Sequence, residues 1–547
     1  MKKSGNGSKP PINLSKLDRA IFKISPAAGV NRIRSRLILD VLQNMGYVAG
    51  NSSRRSMRGW QTDDNSADES LLPELPLIRS RCRDLYNNTP LATGALKRAT
   101  TNTVGPGLVL QAQVRNKLLK ISDEQADEWE RETEQRFNAW ASSKDCDLTR
   151  TQNFYELQAL AYLTTLMGGD CFTLMPRKER PGLDSDLRLA VYEGDFVSNP
   201  NNTMDTKKIA GGVEIDAGGA PVAYHFTNQH PNSIYAMPIK WKRVPAHGAL
   251  TKRRQVVHLF YRDRPGLRRG VPFLHSVVES LKQLGRYSEA ELMAAVVQAF
   301  FTVFVKQQLK GVDPLEQGIA ESQRITKPSE RDADYNMYEM GHGNVVGLDE
   351  NEDVEFADPN RPSAKFAPFF EGMVRQIGSA LEIPFEQLIL HFTSSYSASR
   401  GALLEAWKFY RKSRLWLARN WCQPIYEEWL WEEVLNNRIQ APGFLDDNFK
   451  RYAWIGALWI GTGVGQIDPV KESKAASQKL DDLLTDYDTE YNLIYGGSWE
   501  AMLRRRQRQE KFIKSLDLAR AKKNGGPGGG NPGDGGDGDR TNPLPEE

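Results

Sequence analysis

Cysteine is scarce in this sequence. Cys82, Cys146, Cys171 and Cys422 are spread through 547 residues without a CxxC pair. That spacing suggests neither a disulfide framework nor a zinc knuckle, and it fits a reducing compartment. Histidine is also scarce: His225, His230, His247, His258, His275, His342 and His391 include no pair at the helical spacing of metal ligands. No HExxH, GxSxG or GxxxxGKS/T motif occurs, so the commonest metal, nucleophile and nucleotide signatures are absent. An excess of one charge is lacking too, since 72 Lys and Arg against 69 Asp and Glu leave a formal +3. A tight, whole-surface nucleic-acid binder would be far more basic, whereas weak local contact with DNA is allowed. The most apolar run, Leu292 to Val305, is broken by Gln298 and Thr302 and is short for a bilayer span. The opening Met1-Lys2-Lys3-Ser4-Gly5 has no apolar stretch of the signal-peptide kind. A soluble cytoplasmic product is expected.

What is present is a chain of ordinary globular composition, 39% hydrophobic and 26% charged, long enough for about three or four domain-sized units. Its ends differ from its middle. Up to Arg58, the basic residues Lys2, Lys3, Lys9, Lys16, Arg19, Lys23, Arg32, Arg34, Arg36, Arg54, Arg55 and Arg58 face only Asp18 and Asp40. Such an arm suits nucleic acid or an acidic partner, and equally a solvated, partly disordered leader. The Gly, Pro and Asp tract from Gly525 to Glu547 cannot bury enough apolar area to offset its ordering entropy, and reads as a tail. No internal repeat is evident.

Between the ends, Leu71 to Val114 reads as a helix running to the Gly105-Pro106-Gly107 turn, then a strand over Leu108 to Val114. Asp123 to Trp140 reads as an amphipathic helix with Trp129, Phe137 and Trp140 available for one face. Cys171 to Phe260 is strand-rich, with a hairpin over Gly212 to Phe226 around a Gly-Gly turn. Mixed elements of this kind make an α+β platform. The second half is mainly helical. A long helix is expected from His275 to Val305, then a Gly- and Pro-interrupted insertion holding the acidic run Asp349 to Asp353. A second helix spans Phe366 to Leu381, stopped by Pro384. The polar segment His391 to Arg400 follows, and then a longer helix from Gly401 to about Leu435. That helix carries Trp407, Trp416, Trp421, Trp429 and Trp431, and Leu403, Trp407, Tyr410, Leu417 and Trp421 recur as one buried face. Pro424 should kink it.

Candidate chemistry is thin. Gly461-Thr-Gly-Val-Gly465 lacks the Rossmann spacing and reads as an interhelical loop. His225 with Asp195 or Glu214 would form a site only through tertiary contact, and structural histidines are the simpler reading. Asp349, Glu350, Glu352 and Asp353 could hold a metal as nuclease carboxylates do, or be a solvated acidic loop.

Three blocks carry a family resemblance. Arg79-Ser-Arg-Cys-Arg-Asp-Leu-Tyr-Asn-Asn-Thr-Pro90, followed by Asn102-Thr-Val-Gly-Pro-Gly-Leu108, resembles the N-terminal signature of lambda-type phage portal proteins. So does His258-Leu-Phe-Tyr-Arg-Asp-Arg-Pro-Gly-Leu-Arg-Arg-Gly-Val-Pro272, where Leu267 replaces the Gln of the pattern. The third block is Ile377-Gly-Ser-Ala-Leu-Glu-Ile-Pro-Phe-Glu-Gln-Leu388, with Ser397-Ala-Ser-Arg-Gly401 after it. The blocks occur in order, and the resemblance covers roughly residues 55 to 520.

The resemblance implies an α+β portal fold with a mixed wing, a two-helix stem, an inserted clip, a tunnel loop, a long kinked wing helix and a helical crown. On this chain it implies a basic, partly disordered arm at 1–58 and the wing at 59–274. The first stem helix would take 275–306, the clip 307–361 and the second stem helix 362–384. The tunnel loop would be 385–400, and the long helix with the remaining wing 401–465. Crown helices, with Arg504, Arg505, Arg506 and Arg508, would fill 466–523, and a disordered tail 524–547. It implies no catalysis, cofactor, metal or membrane, and a homo-oligomer of about twelve copies at a virion capsid vertex, assembled in the host cytoplasm. Its partners would be double-stranded DNA without sequence preference, the large terminase subunit, major capsid and scaffold or protease proteins, and head-completion proteins. Thr393, Ser394, Ser395, Tyr396, Ser397, Ser399 and Arg400 would face the DNA, with Arg400 alternatively pairing with a carboxylate at the base of the loop. Other phage connector or tail-assembly rings, and a metal-dependent DNA enzyme, are the alternatives.

Simple geometry agrees with such a ring. Twelve helices side by side at about 8–10 Å need a circumference of roughly 96–120 Å, or about 31–38 Å between opposite axes. Removing about 5 Å of helix on each side leaves roughly 21–28 Å, just enough for a duplex.

Overall fold

The computed structural model describes residues 16–44, 62, 64–234, 238–300, 304–305, 346–347, 366–391, 396–463, 469–497 and 499–515. The acidic run Asp349 to Asp353, the Gly-rich tail and all of the expected clip except 346–347 lie outside the described residues. The chain divides into two compact units, Met1–Ser66 and Ala67–Glu547. In the first, α1 (Lys16–Ile24) and α2 (Pro26–Asn44) are helical, Pro26 starting the second. These helices fall within the arm expected to be partly disordered. Lys23 closes α1, where a cation complements the helix dipole.

The second unit opens with α3 (Ala67–Leu71), α4 (Leu75–Asn88) and α5 (Pro90–Thr103). The single helix expected here is broken because Thr89, preceding Pro90, is extended (φ −117°, ψ 108°), the conformation a following proline favours. β1 (Val109–Ala112), α6 (Asn116–Leu119), α7 (Asp123–Ser142) and α8 (Phe154–Gly168) follow. Helices α7 and α8 each start in a capping box, Ser122 with Gln125 and Asn153 with Glu156.

The strand-rich region contains β2 (Asp170–Leu174), β3 (Ala190–Glu193), β4 (Ile209–Ala210), β5 (Val213–Ile215), β6 (Pro221–Thr227), β7 (Trp241–Pro245) and β8 (Val256–Phe260). They form two antiparallel sheets, ordered β3-β2-β8 and β4-β5-β6-β7. The expected hairpin is β5–β6. Its turn is held by Asp216 Oδ1, which accepts from the N–H of Gly218 and of Ala220, while Gly219 takes φ +85°.

A 3₁₀ turn at His275–Val277 leads into α9 (Val278–Phe300), and β9 (Phe304–Val305) pairs in parallel with β10 (Val346–Gly347). The first long helix thus ends before the expected Val305, whose β-branched side chain and phenylalanine neighbour suit a strand better. Then come α10 (Phe366–Ala380), α11 (Phe385–Ile389) and α12 (Tyr396–Leu417). A π-turn at Ala418–Cys422 joins α12 to α13 (Gln423–Leu435), with Gln423 N–H reaching back to the Ala418 carbonyl. The irregularity expected at Pro424 therefore takes the form of a widened turn just before it. This turn accommodates a residue that has no N–H to give to Asn420. After α14 (Asn448–Trp454), β11 (Ala457–Ile460) pairs antiparallel with β1, and the chain ends its described part in α15 (Pro469–Asp481), α16 (Tyr487–Tyr495) and α17 (Trp499–Ser515).

The main core gathers α5, α7, α8 and the long helix. Trp421 stacks on Phe154 with centroids 5.3 Å apart and donates its indole N–H to Thr173 Oγ1 at 2.9 Å. Phe137 meets Trp429 and Tyr426 edge-on. Of the expected buried face, Tyr410, Leu417 and Trp421 are buried, whereas Leu403 and Trp407 are only partly covered; Trp429 is buried as well, and Trp416 and Trp431 are partly covered.

On its far edge, β1 is closed by side chains instead of by a strand. Glu134 accepts the N–H of Ala112 at 2.9 Å and Glu130 that of Val114 at 2.7 Å. Burial pushes both carboxyls up to about 7, against the pull of those hydrogen bonds, with Asp127 beside Glu130 and Glu500 near both. Between the ordinary carboxyl range and pH 7, the folded chain therefore binds more protons than the unfolded chain. The contribution to stability is full below the unfolded value and is lost as pH rises through about 7. Glu130→Gln with Glu134→Gln keeps the acceptors and removes the charge. The double variant should melt near the parent at pH 5 and above it at pH 8. Parallel melting-temperature profiles would refute this.

Candidate functional site

Two of the motif blocks meet at a residue that the sequence did not single out. Asp170, at the start of β2, is fully buried. Arg79 from α4 donates from Nη2 to its Oδ1 at 2.7 Å, and from Nε to the Gly168 carbonyl at 2.7 Å. Arg269, from the segment after β8, holds the same carboxylate side-on, Nε on Oδ2 and Nη2 on Oδ1. His258 on β8 completes the group, its Nε2 lying 3.4 Å from Oδ2. Since a carboxylate only accepts, that imidazole nitrogen carries the proton. Burial alone would raise the Asp170 carboxyl, yet Arg269, then Arg79 and His258, hold it well below the usual range. Burial lowers Arg79 to about 10 and pushes His258 below its ordinary value despite the adjacent Asp170. Gly194 is required here, because a Cβ on it would fall 2.0 Å from Asp170 Oδ1. Nothing in this arrangement presents a reactive atom to solvent. It fastens α4, β2 and the loop after β8 together, so the platform's two most recognisable sequence blocks serve one buried joint.

The third block builds the base of the polar segment. Glu382 takes φ +54° and Leu390 φ +54°, bracketing α11 between two left-handed residues. Ile383 and Leu388 are buried. Tyr410 donates its hydroxyl to Gln387 Oε1 at 2.6 Å, and Arg98 Nη1 donates to the Leu388 carbonyl at 2.8 Å. A Cβ on Gly378 would lie 2.6 Å from the Ile383 carbonyl oxygen, which fixes glycine at this crossing. The segment's first end is thus pinned to α5 and α12.

Of the seven expected DNA-facing residues, Thr393, Ser394 and Ser395 lie outside the described residues, as do the side chains of Tyr396 and Ser397. Tyr396 to Arg400 are not loop but the first turn of α12, and Phe385–Ile389 is helix as well. Within the expected loop of 385–400, only Leu390 and His391 among the described residues are not helical. Ser399 and Arg400 are half-buried on α12, and Arg400 Nη1 bonds Glu472 Oε1 of α15 at 2.8 Å. This is the carboxylate pairing considered for Arg400, and it ties the second end of the segment to the first turn of α15.

The other candidates are structural. His225 does meet Glu214, Nε2 to Oε2 at 3.5 Å, but Arg243 and Lys208 occupy that carboxylate at 2.7 and 3.4 Å. Asp195 lies instead with Glu193 and His230, and Arg83 bridges the two carboxylates. The Gly461–Gly463 turn packs backbone to backbone against the end of α16, where a Cβ on Gly463 would fall 2.6 Å from the Ile494 carbonyl oxygen. The turn leaves the strand β11 and not a helix, so it is not the interhelical loop expected, and close packing accounts for its glycines. Arg504, Arg505, Arg506 and Arg508 lie on α17, where no residue is buried. No helix among the described residues is long and apolar enough to cross a membrane.

The motif residues thus build buried joints in a mixed helix-and-strand platform, and α9 and α10 flank residues 301–365 ahead of the long interrupted helix in the chain. The chain belongs to the lambda family of phage portal proteins, whose family model matches residues 53–414. It is 24% identical over 460 residues to portal protein B of Escherichia phage lambda, covering 81% of this chain and 86% of that protein. Against the portal protein of Escherichia phage N15 it is 25% identical over 468 residues, with the same coverage. Among solved structures, it is similar to a chain in the neck of an empty gene transfer agent (GTA) particle computed with C6 symmetry. The TM-score is 0.40 and the identity 16%, covering 80% of this chain and 96% of that one. The role of the protein is that of a phage portal.

Proposed function

We propose that this chain is one subunit of a closed ring of about twelve at a single capsid vertex, through which double-stranded DNA is packaged and later ejected. The observation that carries this reading is the pair α9 and α10. They pack through Tyr287 on Phe366 and Phe369, with centroids 5.5 and 5.0 Å apart, and they bracket residues 301–365. On the same helices Leu292, Met293 and Phe369 stay 65%, 60% and 51% exposed, an apolar surface that one chain leaves uncovered. In a ring, neighbouring stems cover it. The insertion 307–361 then serves as the clip that docks the large terminase subunit and later the head-completion proteins. The platform meets the major capsid and scaffold or protease proteins. Helices α15 to α17 form the crown. Neither a cofactor nor a metal is needed, because the separate motor supplies the energy. Assembly takes place in the host cytoplasm.

Thr393, Ser394, Ser395, Tyr396, Ser397 and Ser399 are the segment we assign to the lumen, with Arg400 at its base. A translocation channel must touch phosphates without gripping them, since every neutralised phosphate adds salt-sensitive affinity. Hydroxyls and a formal charge of only +3 suit that demand. Ser394→Lys with Ser395→Lys would add about twenty-four charges to a twelve-membered ring, tightening DNA contact and steepening its salt dependence. Packaging should slow, or packaged DNA should be held less well, in an in vitro packaging assay. Unchanged packaging at low and moderate salt would remove this segment from the DNA path.

A further inference from the structure

The turn between α15 and α16 holds a leucine in a conformation that its side chain opposes. Helix α15 ends in a Schellman turn: the Leu483 N–H meets the Leu480 carbonyl at 3.1 Å, and the Leu484 N–H meets that of Lys479 at 2.9 Å. Leu483 takes φ +58° there, the left-handed position that glycine ordinarily fills. A leucine is strained in it, and this one is 90% exposed. The next residue of such a turn commonly packs back on the helix. Leu484 does not: Gln478 and Lys479 stand where an apolar partner would, and it is 76% exposed. Asp481 and Asp482 precede the leucines, Asp486 follows them, and no Lys or Arg occurs from Leu480 to Glu490. Asp486 is spent on capping α16, whereas Asp481 and Asp482 are exposed. The turn is an acidic knob with an apolar tip.

An open cleft on the same unit has the complementary character. It lies between α12, β11 and α16 and has a volume of about 440 Å³. Trp407, Leu415, Leu458 and Leu493 give it apolar walls, and Leu415 and Leu458 are 49% and 44% exposed. Its charged lining is Arg411 and Arg414, with no Asp or Glu. Arg414 is committed inward, to the Thr103 and Asn102 carbonyls at 3.0 and 3.1 Å and over the Trp407 ring, while Arg411 is exposed. The carboxylates on α16 are engaged: Asp488 accepts from Asn492 and from the Trp499 N–H, and Glu490 from Lys479. Neither Leu483 nor Leu484 lines the cleft of its own chain.

We propose that the knob of one copy seats in the cleft of the next, its leucines against Leu415, Leu458 and Leu493 and its Asp482 facing Arg411. This contact rests on the ring reading above and names a surface through which the ring closes. Two different patches that fit each other make a head-to-tail contact, the kind that generates rings when the rotation closes. Burying both leucines in every such contact offsets the strain held at Leu483.

Cysteine pairing in the full-length protein tests this, since Cys82, Cys146, Cys171 and Cys422 are all buried. Leu484→Cys combined with Leu415→Cys should give, on mild oxidation, a ladder of covalent oligomers in a denaturing gel. Neither single variant should. Arg411→Glu should raise the concentration at which the assembly dissociates by at least about tenfold, and adding Asp482→Arg to the same chain should reverse part of that. Rings that form without the ladder, and that dissociate like the parent when Arg411 is reversed, overturn this contact and leave the ring reading standing. A disulfide confined to the monomer overturns it as well, because the knob then occupies its own cleft. A parent that stays monomeric and a pair that gives no ladder remove the ring reading and this contact with it.

Discussion

Asp170→Ala should be the most damaging single substitution in the platform, costing about 3–5 kcal/mol of folding stability, the usual result of stripping one partner from a buried ion group. The carboxylate sits between Arg79, 4% exposed, and Arg269, 2% exposed, so its loss leaves two buried cations facing each other across His258. The variant should give little soluble protein or a much lower denaturation midpoint. Combining Asp170→Ala with Arg269→Met removes one of those cations and should restore part of the loss. Arg83→Ala breaks a pair whose members are 25% and 15% exposed, and should cost only about 0–1 kcal/mol. Denaturant unfolding of the variants checks all three. An Asp170→Ala protein as stable as the parent would show that the two motif blocks do not depend on this joint.

Replacing residues 307–361 with a short linker should abolish binding of the large terminase subunit while rings still assemble. The excised stretch includes β10, so the small parallel pair with β9 is lost as well, but α9 and α10 retain their contact through Tyr287, Phe366 and Phe369. Pull-down with the terminase subunit, run beside a mass measurement of the ring, separates the two effects. Retained binding would place the docking surface elsewhere. Loss of the ring would mean that the insertion also holds subunits together.

The helical half was legible because its signals are local. Tyr410, Leu417 and Trp421 recur at steps that put them on a buried face, and Pro384 and Pro424 mark a stop and an irregularity that side-chain chemistry imposes. The hairpin β5–β6 was legible for the same reason, through its glycine turn. Asp170 was not. One aspartate on a short strand carries no periodicity, and its partners lie 91 and 99 residues away along the chain. The motif blocks that hold Arg79 and Arg269 were visible in the sequence, but the carboxylate that joins them was visible only in three dimensions. The extent of the polar segment was misread because Ser397 and Ser399 look like loop. Tyr396 to Arg400 are nevertheless helical, continuous with a helix anchored by Tyr410 and by the Arg400–Glu472 pair. Tertiary anchoring outweighed weak local propensity.

The central claim is that this chain works as a closed ring. Mass measurement of the purified full-length protein by light scattering, with class averages from electron microscopy, tests it most directly. The account predicts closed rings near twelve subunits with an open centre wide enough for a DNA duplex. A strictly monomeric mass at micromolar concentration, in moderate salt and across several buffers, would contradict it.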